Sequence, residues 1–290
     1  MWNDSLRKVS IRESMKRYRV LSMDFDSRAA LLAREISDDW EQQVKEQHRV
    51  SIERIKKGLL YEYGSAAADI KVKNFIDLGS KPLSILAFHN RFLEQIRRAF
   101  VVGSYYPALT AACALGERIL NHLIRILRED FKSTPEYKRV RRKDSFDDWD
   151  KAISVLESWG VLLPEVTQTY RELRTLRHRS IHFDPAVDTD DRSLALKAIR
   201  KLSTIIGRQF GSFGNQPWFI PGIRGASYIK KEAEEWPFVK RVYIPNSRLV
   251  GPLHKLGPVN GRIDLVHVYD DNDYEDREIS DDEFRSLLPK

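Results

Sequence analysis

The chain has 290 residues, 42% of them hydrophobic and 10% aromatic, which suits one large packed domain or two modest ones and argues against a disordered polypeptide. A single cysteine, Cys113, excludes a disulfide framework and a cysteine-based zinc site, and no run of about 18 apolar residues occurs, so a reducing cytoplasm is expected rather than export or a membrane. The net charge of +7 is uneven: residues 81–210 carry +7, residues 1–80 carry +2 and residues 211–290 carry −2, so a polyanionic ligand is expected on the middle third.

From Asp26 to Tyr63 the pattern predicts one helix or a pair, with Asp26 or Ser27 as N-cap, Gly64 just past the end, and Leu31, Leu32, Ile36, Trp40 and Val44 at helical spacing. Residues 1–80 are therefore expected to form a helical N-terminal region. Residues 81–211 predict a bundle with short connections. Pro82 is expected to open a helix running through Leu86, Phe88, Phe92, Ile96 and Phe100 to Gly103. A second helix should start near Pro107 and reach Asp130, with Leu109, Cys113, Gly116, Leu120, Leu123 and Leu127 on its buried face. Its first half holds Ala108, Ala111, Ala112, Ala114 and Gly116, small enough to let another helix, or a second copy of the chain, approach closely.

After the basic run Lys138 to Lys143, Ser145 and Asp148 resemble a capping box for a helix ending near Gly160. Pro164 then starts the next helix, through Val166, Tyr170, Leu173 and Leu176. Asp190, Asp191 and Ser193 lead into a last one through Leu194, Leu196, Ile199, Leu202 and Ile206. Beyond residue 211 the helical period breaks at a series of glycines and prolines. There Val239 to Ile244 and Arg262 to Tyr269 predict strands, Asp270 to Glu283 is acidic, and Phe284 to Leu288 is amphipathic. Residues 212–290 are thus expected to be a small β-containing appendage.

Chemistry concentrates in Arg177, His178, Arg179, Ser180, Ile181 and His182. Cleaving RNA through its own 2′-OH requires a group that moves protons near neutral pH and a cation for the phosphate, and histidine and arginine are those groups. Arg177 falls within the apolar face of its helix, so it needs a partner or a ligand, and Glu117 is the acid expected to pair with it. His182 is displaced by about 140° on an ideal helix. Fraying before Pro185, which pushes Asp184 out of the α region, or a symmetric dimer would bring the two together. His178 and His182 also have the i,i+4 spacing of two metal ligands, without a nearby Cys or third His to complete a coordination set. The alternative is a solvated face, with Arg171, Arg174 and His178 as a basic stripe and His182 as a helix-end residue bonded to backbone.

The string from Leu173 to Phe183, LRTLRHRSIHF, resembles the signature of the HEPN superfamily, whose ribonucleases carry Arg, four to six residues, then His. The segment from Gly103 to Leu109, followed by Glu117, is similar to the family's early Gly-aromatic-Ala helix with its acidic residue, and the likeness covers residues 81 to 210. The resemblance implies a mainly α protein: a four-to-five-helix bundle, here with an N-terminal helical extension and a small α+β C-terminal appendage. It implies a metal-independent endoribonuclease without cofactor, leaving 2′,3′-cyclic phosphate and 5′-OH ends. Arg177 and His182 would be catalytic, His178 and Glu117 supporting, and Arg171, Arg174 and Arg179 would bind RNA. Such enzymes dimerise around a shared cleft and act as toxins or in defence against phage, which leaves room for a regulatory protein partner. The rival expectation is a non-catalytic member of the superfamily that binds RNA, a nucleotide or a partner protein through the same cleft.

Overall fold

A computed structural model describes residues 15–181, 185–259, 262–269 and 277–289. Two short strands come first, β1 (Arg17–Val20) and β2 (Met23–Asp26), then helices α1 (Arg28–Ala33), α2 (Gln42–Tyr63) and α3 (Ala68–Leu78). Strand β3 (Lys81–Ile85) precedes α4 (Phe88–Val101), α5 (Tyr105–Leu127), the single turn α6 (Tyr137–Val140), α7 (Trp149–Ser158), α8 (Pro164–Ile181) and α9 (Pro185–Gln209). The rest holds β4 (Ser247–Val250), β5 (Lys255–Val259), β6 (Arg262–Tyr269) and α10 (Asp281–Leu287). The described chain is mainly helical, with two-stranded sheets pairing β1 with β4, β2 with β3, and β5 with β6. It divides into two compact units, residues 24–211 and residues 15–23 together with the described part of 212–290. The N-terminal eighty residues are thus shared between the units.

In the larger unit α5 is the central element and packs against α4, α7, α8 and α9. Its small residues make this possible. A Cβ added at Gly116 would stand 2.8 Å from the Trp149 ring and 2.9 Å from the Leu173 side chain, so the absence of a side chain there sets how closely α7 and α8 approach. Leu109, Leu120, Tyr170 and Leu173 are fully buried around it. Local signals act at two of the helix starts. Pro164 occupies the first position of α8, where no N–H is missed, and the Asp148 carboxylate caps α7 by accepting the Lys151 N–H at 3.1 Å. Within α9, Asp190 leaves helical geometry (φ −135°, ψ 31°), separating a short first stretch from the long one the sequence predicts.

Three expectations are corrected. The segment at Pro82 is a strand, and the helix starts six residues later at Phe88. Proline disfavours helical geometry at Lys81. The Ile85 N–H donates to the Phe210 carbonyl at 2.9 Å, and the Asn90 side chain caps the Ala87 N–H at 2.7 Å. The helix expected from Ser145 starts only at Trp149, because Asn121 on α5 brackets the Phe146 backbone, accepting its N–H at 2.6 Å and donating to its carbonyl at 2.9 Å. Residues Val239–Tyr243 are helical rather than extended; Val239, Val242 and Tyr243 are buried at a spacing of three and one, which a helix turn satisfies better than a strand.

In the smaller unit β1 runs antiparallel to β4, from Arg17 opposite Val250 to Val20 opposite Ser247. Met15, Ile220, Tyr228, Val250, Ile279 and Phe284 form a core. Arg17 is buried beside it but fully engaged, its Nε on Asp281 at 2.6 Å and its Nη2 on the Ile279 carbonyl at 2.6 Å.

One core residue of the larger unit carries a stability prediction. His89 is fully buried against Phe88 and Phe210, and neither ring nitrogen has a hydrogen-bond partner among the described residues. Burial therefore pushes its imidazole down to about 4. The unfolded chain takes up this proton near pH 6.5 and the folded chain only near 4, so the contribution is complete above that window and is lost as pH falls through it. His89→Phe should remove this sensitivity: between pH 7 and pH 4 the wild type should lose on the order of 3 kcal/mol more than the variant in denaturant unfolding. Parallel stability curves for the two proteins would refute the assignment.

Candidate functional site

Helix α8 buries Val166, Tyr170, Leu173 and Leu176, and Arg177 follows at the margin of that stripe rather than deep within it, with 28% of its side chain exposed. Its Nη2 lies 2.9 Å from Glu117 Oε2 on α5, so the expected ion pair is present. The Trp149 indole N–H donates to the same oxygen at 2.9 Å, and the guanidinium carbon stands 5.7 Å from the centre of the Trp149 ring. Arginine, glutamate and tryptophan thus hold one another from three helices. The ion pair occupies one arm of the guanidinium fork, which carries five N–H donors in all.

The last turn of α8 is tied down beside this cluster. Tyr106 on α5 donates its hydroxyl to the Ser180 carbonyl at 3.3 Å, and the buried Ser180 hydroxyl donates to the Arg177 carbonyl at 2.9 Å. Cys113 lies beneath it, its thiol pushed up to about 11 by burial. His178 is exposed and Arg179 half-buried. His182 lies outside the described residues, as do Phe183 and Asp184, so the expected fraying before Pro185 and the His178–His182 pair fall there too. Among the described residues no group of three or more His, Cys, Asp or Glu is placed to hold a metal ion.

The basic stripe is matched by carboxylates. Arg171 pairs with Glu157 at 2.9 Å and Arg174 with Asp150 at 2.7 Å, both acids lying on α7 and both pairs well exposed. Exposed pairs of this kind contribute about 0–1 kcal/mol, so a phosphate could displace either acid at small cost.

Sequence reasoning missed the other side of Glu117. There a cavity of about 240 Å³ is lined by Glu117, Arg118, Asn121, His122 and Arg125 of α5 with Asp144 and Ser145. His122 stacks on Phe88 at 3.8 Å, and its imidazole is held below its ordinary value by burial first and then by the Arg118 and Arg125 cations. The signal was visible as Arg118, His122 and Arg125 at i, i+4 and i+7, one face of a helix. Arg177 and this cationic face therefore flank a single carboxylate.

No helix among the described residues is long and apolar enough to cross a membrane. Comparison with protein-family models, curated proteins and solved structures found no match to this chain.

Proposed function

We propose that the helical unit is a metal-independent endoribonuclease of HEPN type, acting on RNA in the cytoplasm as a homodimer in toxin or anti-phage defence. The observation that supports this most is the position of Arg177: in the last turns of α8, partly exposed, and held by Glu117 beside Trp149. In this reading His182, just beyond the last described turn of α8, removes the 2′-OH proton. The O2′–P bond forms and the P–O5′ bond breaks. Arg177 stabilises the charge that develops on the phosphoryl oxygens, and the departing 5′ oxygen takes up a proton from an imidazolium. Glu117 orients Arg177, His178 shapes the site, and Arg171, Arg174 and Arg179 bind the strand, joined by Arg118 and Arg125 across Glu117.

The test is the chemistry of the products. The purified chain incubated with RNA in excess EDTA should release 2′,3′-cyclic phosphate and 5′-OH ends at an undiminished rate, because imidazole and guanidinium supply the whole mechanism. Activity abolished by chelation and restored by a divalent metal would overturn the proposal, as would 5′-phosphate ends.

A second reading, a non-catalytic module that binds RNA, a nucleotide or a protein, is favoured by one observation. Arg171, Arg174 and Arg177 each already have a carboxylate partner, the arrangement of a helix–helix seam as well as of a site in waiting. It would retain RNA on a filter without cutting it.

A further inference from the structure

The smaller unit contains a cavity of about 490 Å³ whose lining includes Arg19 on β1, Arg224, Tyr228, His254 and Arg285 on α10. Among the described residues, neither aspartate nor glutamate lines it. The backbone turns around its mouth at Gly222 (φ +78°) and Gly225 (φ +73°), conformations that carry a side chain only under strain. Three arginines therefore line one partly open cavity, with no carboxylate among its described lining residues.

The way these cations are held is informative. His254 is buried, and its Nδ1 lies 2.7 Å from the Gly251 carbonyl, which can only accept, so Nδ1 carries the proton. That leaves the Nε2 lone pair to accept from Arg19 Nη1 at 2.5 Å. A neutral imidazole thus orients Arg19 without cancelling its charge, and the Tyr228 ring supports the guanidinium from 5.5 Å. Among the described residues Arg19 has no carboxylate partner. Arg224 is exposed and likewise makes no ion pair among them. Arg285 donates to the Pro221 carbonyl at 3.1 Å and pairs with the largely exposed Asp282 at 2.9 Å, an i,i+3 contact of small strength. A part-buried cation that lines a cavity and is positioned by a neutral group is an arrangement that an anionic ligand can complete.

The cavity's size and its other wall narrow the ligand. Its volume lies within the roughly 300–1,000 Å³ of small-molecule sites, far more than one phosphate group fills. Ile223, Ala226, Leu288 and Pro289 make the remaining wall apolar. We propose that this cavity is a binding site for a small phosphomonoester of about mononucleotide size, its phosphate held by Arg19, Arg224 and Arg285 and its organic part against Ile223, Ala226, Leu288 and Pro289. The site lies in the unit that the nuclease proposal does not use, so each stands or falls independently.

Titration calorimetry on the full chain tests it, with AMP, glucose 6-phosphate and inorganic phosphate as separate probes. At least one of the two organic phosphates should bind with a dissociation constant of about 1 mM or lower, and inorganic phosphate should bind at least about tenfold more weakly. Arg224→Glu should weaken that binding by at least about tenfold, the loss of one charge-assisted contact, while leaving the thermal unfolding midpoint in place because Arg224 makes no ion pair among the described residues. Arg19→Lys, which keeps the charge and loses the fork, should weaken it as well. Arg54→Glu, at an exposed position of the other unit, should bind as the wild type does. No heat from either organic phosphate at about 5 mM would overturn the proposal. So would binding that is indifferent to Arg224→Glu and Arg19→Lys, or inorganic phosphate that binds as tightly as the organic probes.

Discussion

Arg177→Ala and His182→Ala should each lower RNA cleavage by at least about a hundredfold, with the helical circular dichroism unchanged. The two losses have different origins. Removing the arginine withdraws a cation from the phosphoryl oxygens and frees the Glu117 carboxylate, whose oxygen keeps the Trp149 N–H as its one partner among the described residues, so a negative charge is left facing the substrate. Removing the histidine leaves the electrostatics intact but strips the reaction of its proton carrier. Arg177→Lys should therefore remain strongly impaired, since a point charge cannot bridge Glu117 and a phosphate as a fork does. Mixing the two alanine variants adds a further readout: if the motifs of two copies share a cleft, a heterodimer regains part of the activity that each homodimer lacks. Full activity in either folded alanine variant would refute the assignment of Arg177 and His182, and a larger loss at His178→Ala than at His182→Ala would reverse their roles.

Gly116→Val should destabilise the larger unit strongly, costing about 2–3 kcal/mol in denaturant unfolding. Even a lone Cβ at this position would come within 2.9 Å of both Trp149 and Leu173, and valine adds two further methyl groups where the three helices meet. A mid-helix glycine replaced on an open surface would stabilise slightly, because valine has the better helix propensity. The sign of the result therefore discriminates between a packed seam and an open one. Trp149 also donates to Glu117, so displacement of its ring should carry over to the Arg177 pair, and the variant should lose RNA cleavage at temperatures where it is still folded. A variant as stable as the wild type would show that α5 does not approach α7 and α8 as closely as described.

The legible parts of this protein were those whose information is local. Pro164 announced the start of α8, Gly64 the end of α2, and the small residues of α5 announced a helix that others could approach closely. The Arg177–Glu117 pair was also legible, because a charge on an apolar face needs a counter-charge and Glu117 flanks the buried face of the Ala-rich helix. Arg118, His122 and Arg125 had a readable spacing, but spacing on a helix does not say whether a neighbour will cover the face.

What the amino-acid order determined by itself was the helical period, several helix ends and the demand of individual charges for a partner. Tertiary structure decided the rest. Residues 81–85 became a strand because the partners of Ser84 and Ile85 lie at Gly211 and Phe210, more than a hundred residues away. The helix at residue 145 was shortened by the Asn121 bracket on Phe146, and β1 joined β4 across most of the chain. The cavity at Arg19 has the same origin: its arginines come from positions 19, 224 and 285, and no local pattern marks them as neighbours. Backbone hydrogen bonds and ion pairs are satisfied wherever folding brings donors and acceptors together, so those that join distant segments emerge only once the whole chain has packed.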